Sequence, residues 1–145
     1  MAITKSSVYG LTLRKALTND LGTSLLVDGK MMLVNDGYTP NFDTHAFRSS
    51  ITNQVTGTGY TDGGADIVSP TLVIGSAGAL TFDLADQVWA ASTIASAMAG
   101  IIYLDVGSAA TDLPFVLLDF VTPVSTNAGI LTVEINAAGA VQLNF

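Results

Sequence analysis

The hydrophobic pattern is dominated by one segment, Val88 to Val106, the longest strongly apolar stretch of the chain. If it is extended from Thr93 onward, one face carries Met98 and Ile102, while the other carries small residues and Ile101. A strand with one solvated face alternates apolar and polar residues. A run that is apolar on both faces therefore predicts the central strand of a sandwich, or a strand covered by a partner subunit.

Two other structures are compatible with part of this segment. Alanine and methionine favour a helix, and Ala90 to Ala99 would give nearly three turns, but Gly100 and the β-type residues after it favour a strand in the second half. The uncharged window from Gln87 to Leu104 is short for a membrane span, contains polar residues and lacks basic flanks. We therefore predict a strand.

Shorter patterns predict the remaining elements. Asp28-Gly29 between two apolar runs predicts a hairpin over residues 25–34, and Asp43 or Thr44 can start a short helix that ends at Ile51. Pro70 within residues 66–74 predicts an edge strand or a bulge. At the carboxyl end, residues 131–135 and 141–145 alternate on either side of a three-residue loop, which predicts a second hairpin.

Together these elements predict an all-β protein, a two-sheet antiparallel β-sandwich of the jelly-roll or Ig-like kind, with one short helix and an N-terminal arm. We expect a single domain over residues 1–145. Residues 1–22 form either an arm or a short helix, and residues 23–145 form the sandwich body.

The composition predicts that the protein assembles with other protein chains. Hydrophobic residues make up 49% of the 145 residues and charged residues only 12%, about half the usual charged share. A free monomer of this composition exposes apolar patches, which usually mark protein contacts. The first residues lack the apolar core of a signal peptide, so we do not expect secretion.

The charges are unevenly distributed. All five basic residues lie within the first 48 positions, and the remaining 97 positions hold eight acids and no basic residue. The net charge of the whole chain is −7. This sign disfavours nucleic acid as a partner. The acidic part is interpreted either as a solvated surface or as the outer side of a protein that docks its basic part onto an acidic partner.

The residue inventory predicts no enzyme, cofactor or metal site. His45 is the only histidine and cysteine is absent, so a Ser-His-Asp arrangement would need His45 with Asp43 and Ser49 or Ser50, without a nucleophile elbow. Aromatic neighbours favour a packed histidine instead. Paired aspartates do not match a calcium loop, and the glycines of residues 57–64 lack the lysine of a phosphate loop. Asp119, in an apolar strand, is hydrogen-bonded, faces a subunit contact or has a raised pKa.

An ordered series of fragments resembles a family of small tailed-bacteriophage virion proteins, the head decoration or cement proteins. The fragments are Tyr38-Thr39-Pro40-Asn41, Thr44-His45 with Phe47, Gly57-Thr58-Gly59-Tyr60-Thr61 with Gly63-Gly64, Trp89 with Ser92-Thr93-Ile94, Ile101-Ile102-Tyr103, and Leu131-Thr132-Val133 with Asn136-Ala137 and Gly139. The similarity covers residues 25–145. The chain departs from the family pattern after Trp89, where Ala90 replaces a proline, and in the next strand, which has no basic residue.

The resemblance implies a non-enzymatic protein on the capsid exterior, made in the host cytoplasm, that binds the major capsid protein as a homotrimer, without nucleic acid or membrane. Candidate contact residues fall into a basic arm, an alanine stripe and one apolar strand: Lys5, Arg14, Lys15, Ala95, Ala97, Ala99, Phe115, Leu117 and Asp119. An alternative is a tail or fibre module that binds a host surface glycan through exposed Tyr38, Tyr60 and Trp89.

Overall fold

The computed structural model describes residues 3–75 and 78–144. Its strands are β1 (Ser7–Val8), β2 (Gly29–Asn35), β3 (Ala65–Asp66), β4 (Thr71–Ile74), β5 (Ala79–Asp83), β6 (Gln87–Ser92), β7 (Ala97–Leu104), β8 (Leu113–Val124), β9 (Gly129–Val133) and β10 (Val141–Asn144). Its helices are α1 (Gly10–Leu17), α2 (Leu25–Asp28) and a 3₁₀ turn at Arg48–Ser50.

The strands form antiparallel sheets packed together, which confirms the all-β sandwich. The large sheet has the order β1-β8-β7-β2-β3, and two smaller sheets have the orders β10-β5-β4 and β6-β9. One face of the large sheet shares a core with both smaller sheets, including Met31, Ile102, Phe82, Trp89 and Leu131. The layer that faces the large sheet is thus divided in two.

The prediction for the long apolar segment is confirmed in its second half. All eight residues of β7 are buried between β8 and β2. Ile101 and Tyr103 face a second core on the far side of the large sheet, which includes Ile3, Tyr9 and Tyr38. The chain's own amino-terminal residues and the 36–51 connection therefore cover this face, and no partner subunit is needed to bury it. The first half, β6, belongs to another sheet.

The amino-terminal segment contains the short helix rather than a separate arm. The backbone N–H of Tyr9 donates to the carbonyl of Phe115 (2.8 Å), and Ser7 pairs with Leu117 on β8. Ile3 and Tyr9 are fully buried. Because large apolar side chains are anchored on both sides of β1, the described residues 3–22 are part of the body.

Both predicted hairpins are wrong. Residues 25–28 form α2, and the strand begins only at Gly29, whose Cβ position would lie 2.5 Å from the Leu25 carbonyl oxygen. At the carboxyl end a turn does form, with the Gly139 N–H donating to Asn136 (2.8 Å). However, β9 pairs with β6 and β10 pairs with β5. Phe145 lies outside the described residues.

The predicted short helix near residues 43–51 is reduced to the 3₁₀ turn at Arg48–Ser50. Residues before it form turns in which the Asn41 side chain accepts from the N–H groups of Asp43 (3.1 Å) and Thr44 (3.0 Å). Such local side-chain bonds compete with helix formation. This connection covers the second core instead of forming a regular element.

Candidate interaction surface

An apolar cleft opens between the helices and the β10-β5-β4 sheet. It has a volume of about 240 Å³, and its lining is almost entirely hydrocarbon: Leu13, Ala16, Leu21, Ser24, Leu25, Leu26, Leu72, Leu80, Phe82, Phe115, Val141 and Leu143. We call this feature the apolar cleft. No charged side chain lines it, so its chemistry suits an apolar partner surface.

Strand register explains why the sheet side of the apolar cleft is hydrophobic. Leu72 and Val141 both lie opposite Phe82, on either side of β5, and Leu143 lies opposite Leu80. Residues directly opposite each other point to the same face of a sheet. Period-2 alternation in three strands therefore places all of these side chains on one face.

Only one end of this sheet face is closed. Phe82 is buried and meets Phe115 of the large sheet edge-to-face, with ring centroids 5.6 Å apart. Leu72 and Leu143 remain about half exposed. The sheet thus contacts the body at Phe82 and leaves apolar side chains open at the other end.

Strand β4 is the edge of this sheet and is exposed along its whole length. It pairs only with β5 among the described strands. Exposure is 56% at Val73 and 72% at Ile74. An exposed apolar edge strand is a template for pairing with another chain. The sequence predicted one strand over residues 66–74, with Pro70 as the signal for an edge. The structure instead ends β3 at Asp66 and begins β4 at Thr71, in another sheet, and it confirms the edge position of β4.

The ion pairs of the protein lie away from the apolar cleft. Lys15 pairs with Asp20 (2.9 Å), and Lys30 pairs with Asp105 (2.9 Å), which lowers the pKa of both carboxyl groups through hydrogen bonds to the ammonium groups. Arg48 binds the buried Asp112 through Nε (2.8 Å). These pairs are all outside the apolar cleft, so they stabilise the body rather than form part of a site.

His45 belongs to a hydrogen-bonded chain of side chains. Its Nδ1 lies 2.8 Å from the Tyr38 hydroxyl, which lies 2.8 Å from the Tyr9 hydroxyl. The backbone N–H of Asn41 also points at Nδ1 (3.4 Å), which makes this nitrogen the acceptor. Burial lowers the pKa of His45 and raises that of both tyrosines. The histidine joins two covering segments, and Asp43, Ser49 and Ser50 make no described bond to it.

Three of the nine candidate contact residues are unavailable to a partner. Ala97, Ala99 and Leu117 have no exposed surface, so the expectation that they form an oligomer contact is wrong. The cause is that both faces of the large sheet are covered: Ala97 lies in the core shared with the smaller sheets, and Ala99 and Leu117 lie in the second core on the far side. Ala95 is exposed in the connection between β6 and β7.

The remaining candidates lie in separate places. Phe115 is half-buried and lines the apolar cleft. Asp119 accepts a hydrogen bond from the Val121 N–H (2.8 Å), which corresponds to the first of its three interpretations. Lys5 lies over the ring of Phe42 at 5.7 Å, and Arg14 is exposed on α1.

The aromatic residues of the glycan alternative are not exposed platforms. Tyr38 is fully buried, and Trp89 is only 5% exposed. The ring of Tyr60 lies 6.1 Å from that of Trp89, and its hydroxyl accepts from the Leu33 N–H (2.9 Å). The three side chains hold the core together.

Apart from Phe115, the residues that form the apolar cleft were missed by sequence reasoning. Leu13 and Leu25 came from segments whose structure was ambiguous or mistaken, and Leu143 was assigned to a hairpin. A usable signal existed in residues 67–82, which contain no charged residue although they include a proline and several glycines. An uncharged edge segment in an acidic protein indicates a contact surface.

Comparison of the chain with protein-family models, curated proteins and solved structures finds no match. None of the helices within residues 3–75 and 78–144 is long and apolar enough to cross a membrane. The same part of the chain contains no group of three or more histidine, aspartate or glutamate side chains placed to hold a metal ion.

Proposed function

We propose that this chain is a structural protein of a tailed-phage virion that binds the outer surface of the capsid and stabilises the shell. One structural observation carries the proposal: a β-sandwich presents an open apolar cleft beside an exposed edge strand, β4, which pairs on one side only among the described strands. This arrangement suits association with protein surfaces. The residue series that resembles the decoration proteins supports the major capsid protein as the proposed partner.

Stabilisation would come from mass action. A protein that binds the assembled shell and not the free subunits shifts the equilibrium toward the shell. Several linked contacts raise the effective affinity beyond that of one contact. The fully buried β7 at the centre of the large sheet favours this mechanism, because a preorganised body loses little conformational entropy when it binds.

The basic amino-terminal part is proposed to face the shell. Lys5 and Arg14 are both exposed, whereas the last 97 residues carry only acidic charges. A polarised charge distribution orients a protein on an acidic partner. Because β1 and α1 are packed on the body, these side chains would act from a fixed surface and not from a flexible arm.

Quantitative mass spectrometry of virions, separated into heads and tails after mild disruption, tests the proposal. We expect the chain on heads, at a copy number comparable with that of the major capsid protein. A few copies confined to tails would favour the glycan-binding alternative, which at present no structural observation favours. Absence from both fractions would refute the virion proposal.

A further inference from the structure

Among the described residues, the outer edge of β4 has backbone hydrogen-bonding groups without a partner at two positions. The Gly75 N–H donates to the Ala79 carbonyl (2.7 Å), in register with the Val73–Thr81 pair of the β4–β5 ladder. Antiparallel pairs alternate between hydrogen-bonded and non-hydrogen-bonded types. Val73 is therefore bonded to β5, whereas the N–H and C=O groups of Leu72 and Ile74 point outward.

The segment Leu72-Val73-Ile74 is complementary to itself. If a second β4 lies antiparallel to the first with Val73 opposite Val73, then Leu72 lies opposite Ile74 and Ile74 opposite Leu72. Leu72 and Ile74 are the residues whose N–H and C=O groups point outward. Each Leu72–Ile74 pair can therefore exchange two backbone hydrogen bonds between the copies. All three side-chain pairs are aliphatic, which is favourable in cross-strand contacts.

The charge of the chain favours this segment over other surfaces for self-association. Two copies with a net charge of −7 repel each other. Residues 67–82 contain no charged side chain, so copies that meet at β4 bring no carboxylates into direct opposition there. A basic partner would find no complementary charge on this edge.

The apolar cleft would be extended by the same contact. A two-fold axis perpendicular to the sheet keeps equivalent faces on the same side. Leu72 lines the apolar cleft, and Ile74 shares its face by alternation. In the paired arrangement these side chains from both copies lie next to each other, and each shields the other from water.

We propose that two copies of this chain associate through antiparallel pairing of β4 centred on Val73, giving a continuous sheet in the order β10-β5-β4-β4-β5-β10. This contact goes beyond the proposed shell binding and does not depend on it. It also differs from a homotrimer, because a two-fold contact closes on itself with two copies.

Complementary charges at Val73 test both the contact and its register. We expect the wild type to sediment, in a concentration-dependent manner, at twice the chain mass of 14.9 kDa. Val73→Lys and Val73→Glu each place like charges opposite each other and should weaken dimerisation by at least about tenfold. An equimolar mixture of the two variants should restore the dimer, since a lysine then faces a glutamate.

Ile130→Lys is the matched control, because Ile130 is exposed to 68% in β9, away from β4. It introduces the same charge on a similarly exposed strand residue and should leave dimerisation unchanged. A wild type that stays monomeric at all concentrations, a trimer, or a mixture that fails to recover the dimer would overturn the proposal. Shell binding by a monomeric wild type would leave the proposed function intact.

Cross-linking provides a second measurement in the folded protein. The chain has no cysteine, so Val73→Cys introduces the only thiol. Directly opposite residues of a non-hydrogen-bonded pair have Cα atoms about 4.5 Å apart, within the disulfide range. Mild oxidation should link most of the Val73→Cys protein into dimers that run at twice the mass on a non-reducing gel. Ile130→Cys should remain mostly monomeric, and equal cross-linking of both variants would contradict the contact.

Discussion

At the residue scale, Asp112 is a buried carboxylate that joins separate parts of the backbone. Its oxygens accept from Arg48 Nε (2.8 Å) and from the N–H groups of Val106 (2.9 Å) and Ser108 (3.2 Å). The Arg48 guanidinium also lies over the ring of Tyr103 at 5.3 Å. One side chain therefore fixes the β7–β8 connection to the segment that covers the second core.

Replacing this carboxylate should be strongly destabilising. Asp112→Ala leaves a partly buried guanidinium and two N–H groups without their acceptor, and we expect a loss of about 3–5 kcal/mol in the free energy of unfolding, measured with urea. Asp62→Ala is the control, since Asp62 lies 3.9 Å from Arg48 and is highly exposed. It should change stability by less than about 0.5 kcal/mol. Equal losses would contradict the role of Asp112.

Protonation of His45 should lower the free energy of unfolding in mild acid. Burial lowers its pKa in the folded protein, so the unfolded chain, with an ordinary histidine pKa near 6.5, binds the proton more readily. The contribution of neutral His45 is complete above about pH 6.5 and is lost as the pH falls toward the folded pKa. Protonation also removes the acceptor for the Tyr38 hydroxyl.

Melting temperatures of the wild type and of His45→Gln, recorded from about pH 8 to about pH 5, test this effect. His45 is the only histidine, so the variant should lose the part of the pH dependence that begins below about pH 6.5. Parallel curves for the two proteins would show that His45 does not titrate differently on folding.

At the element scale, tight backbone crossings explain the glycines of residues 57–64. Gly57 and Gly64 both have positive φ angles, and a Cβ atom on either would lie 1.8 Å from a carbonyl oxygen, that of Thr93 or Met31. Left-handed conformations and close backbone approach both require glycine. The loop therefore passes close to the backbone of Thr93, which follows β6, and of Met31 in β2, and these two approaches explain its glycines.

Gly64→Ala and Gly22→Ala separate these two requirements. Both residues have similar φ angles, +80° and +77°, but no atom lies within 4 Å of the Cβ position at Gly22. Gly22→Ala should cost about 1 kcal/mol from conformation alone. Gly64→Ala should cost at least about 2 kcal/mol more, because a backbone strand must move. Similar denaturation midpoints for the two variants would refute the steric explanation.

At the scale of the whole molecule, net charge and self-association oppose each other. Copies of an acidic protein repel, and salt screens that repulsion, whereas the β4 contact is uncharged and is not weakened by screening. We therefore expect dimerisation to strengthen between about 0.02 M and about 0.5 M sodium chloride, measured by sedimentation velocity. Dimers that dissociate as salt rises would indicate ion pairs across the contact instead.

The candidate surface was only partly predictable. Pro70 identified an edge strand correctly, because the effect of a proline on strand pairing is local. The alanine stripe was misjudged, since small residues at period 2 are equally suited to a partner contact and to close packing within one chain. Ala97 is buried against the smaller sheets and Ala99 against the amino-terminal residues and the 36–51 connection, and sequence spacing alone contains no information about which segments cover a strand.

The sequence by itself determined the β character of the chain, the alternation within most strands and the burial of β7 on both faces, since these depend on the order of neighbouring side chains. The tertiary structure decided which strands pair. Residues 131–135 and 141–144 have the pattern of a hairpin, yet Leu131 and Val133 pack with Trp89 while Val141 packs near Phe82. Strand pairing depends on which apolar faces, distant in the sequence, bury each other most completely. The resulting arrangement leaves the apolar cleft and the β4 edge uncovered.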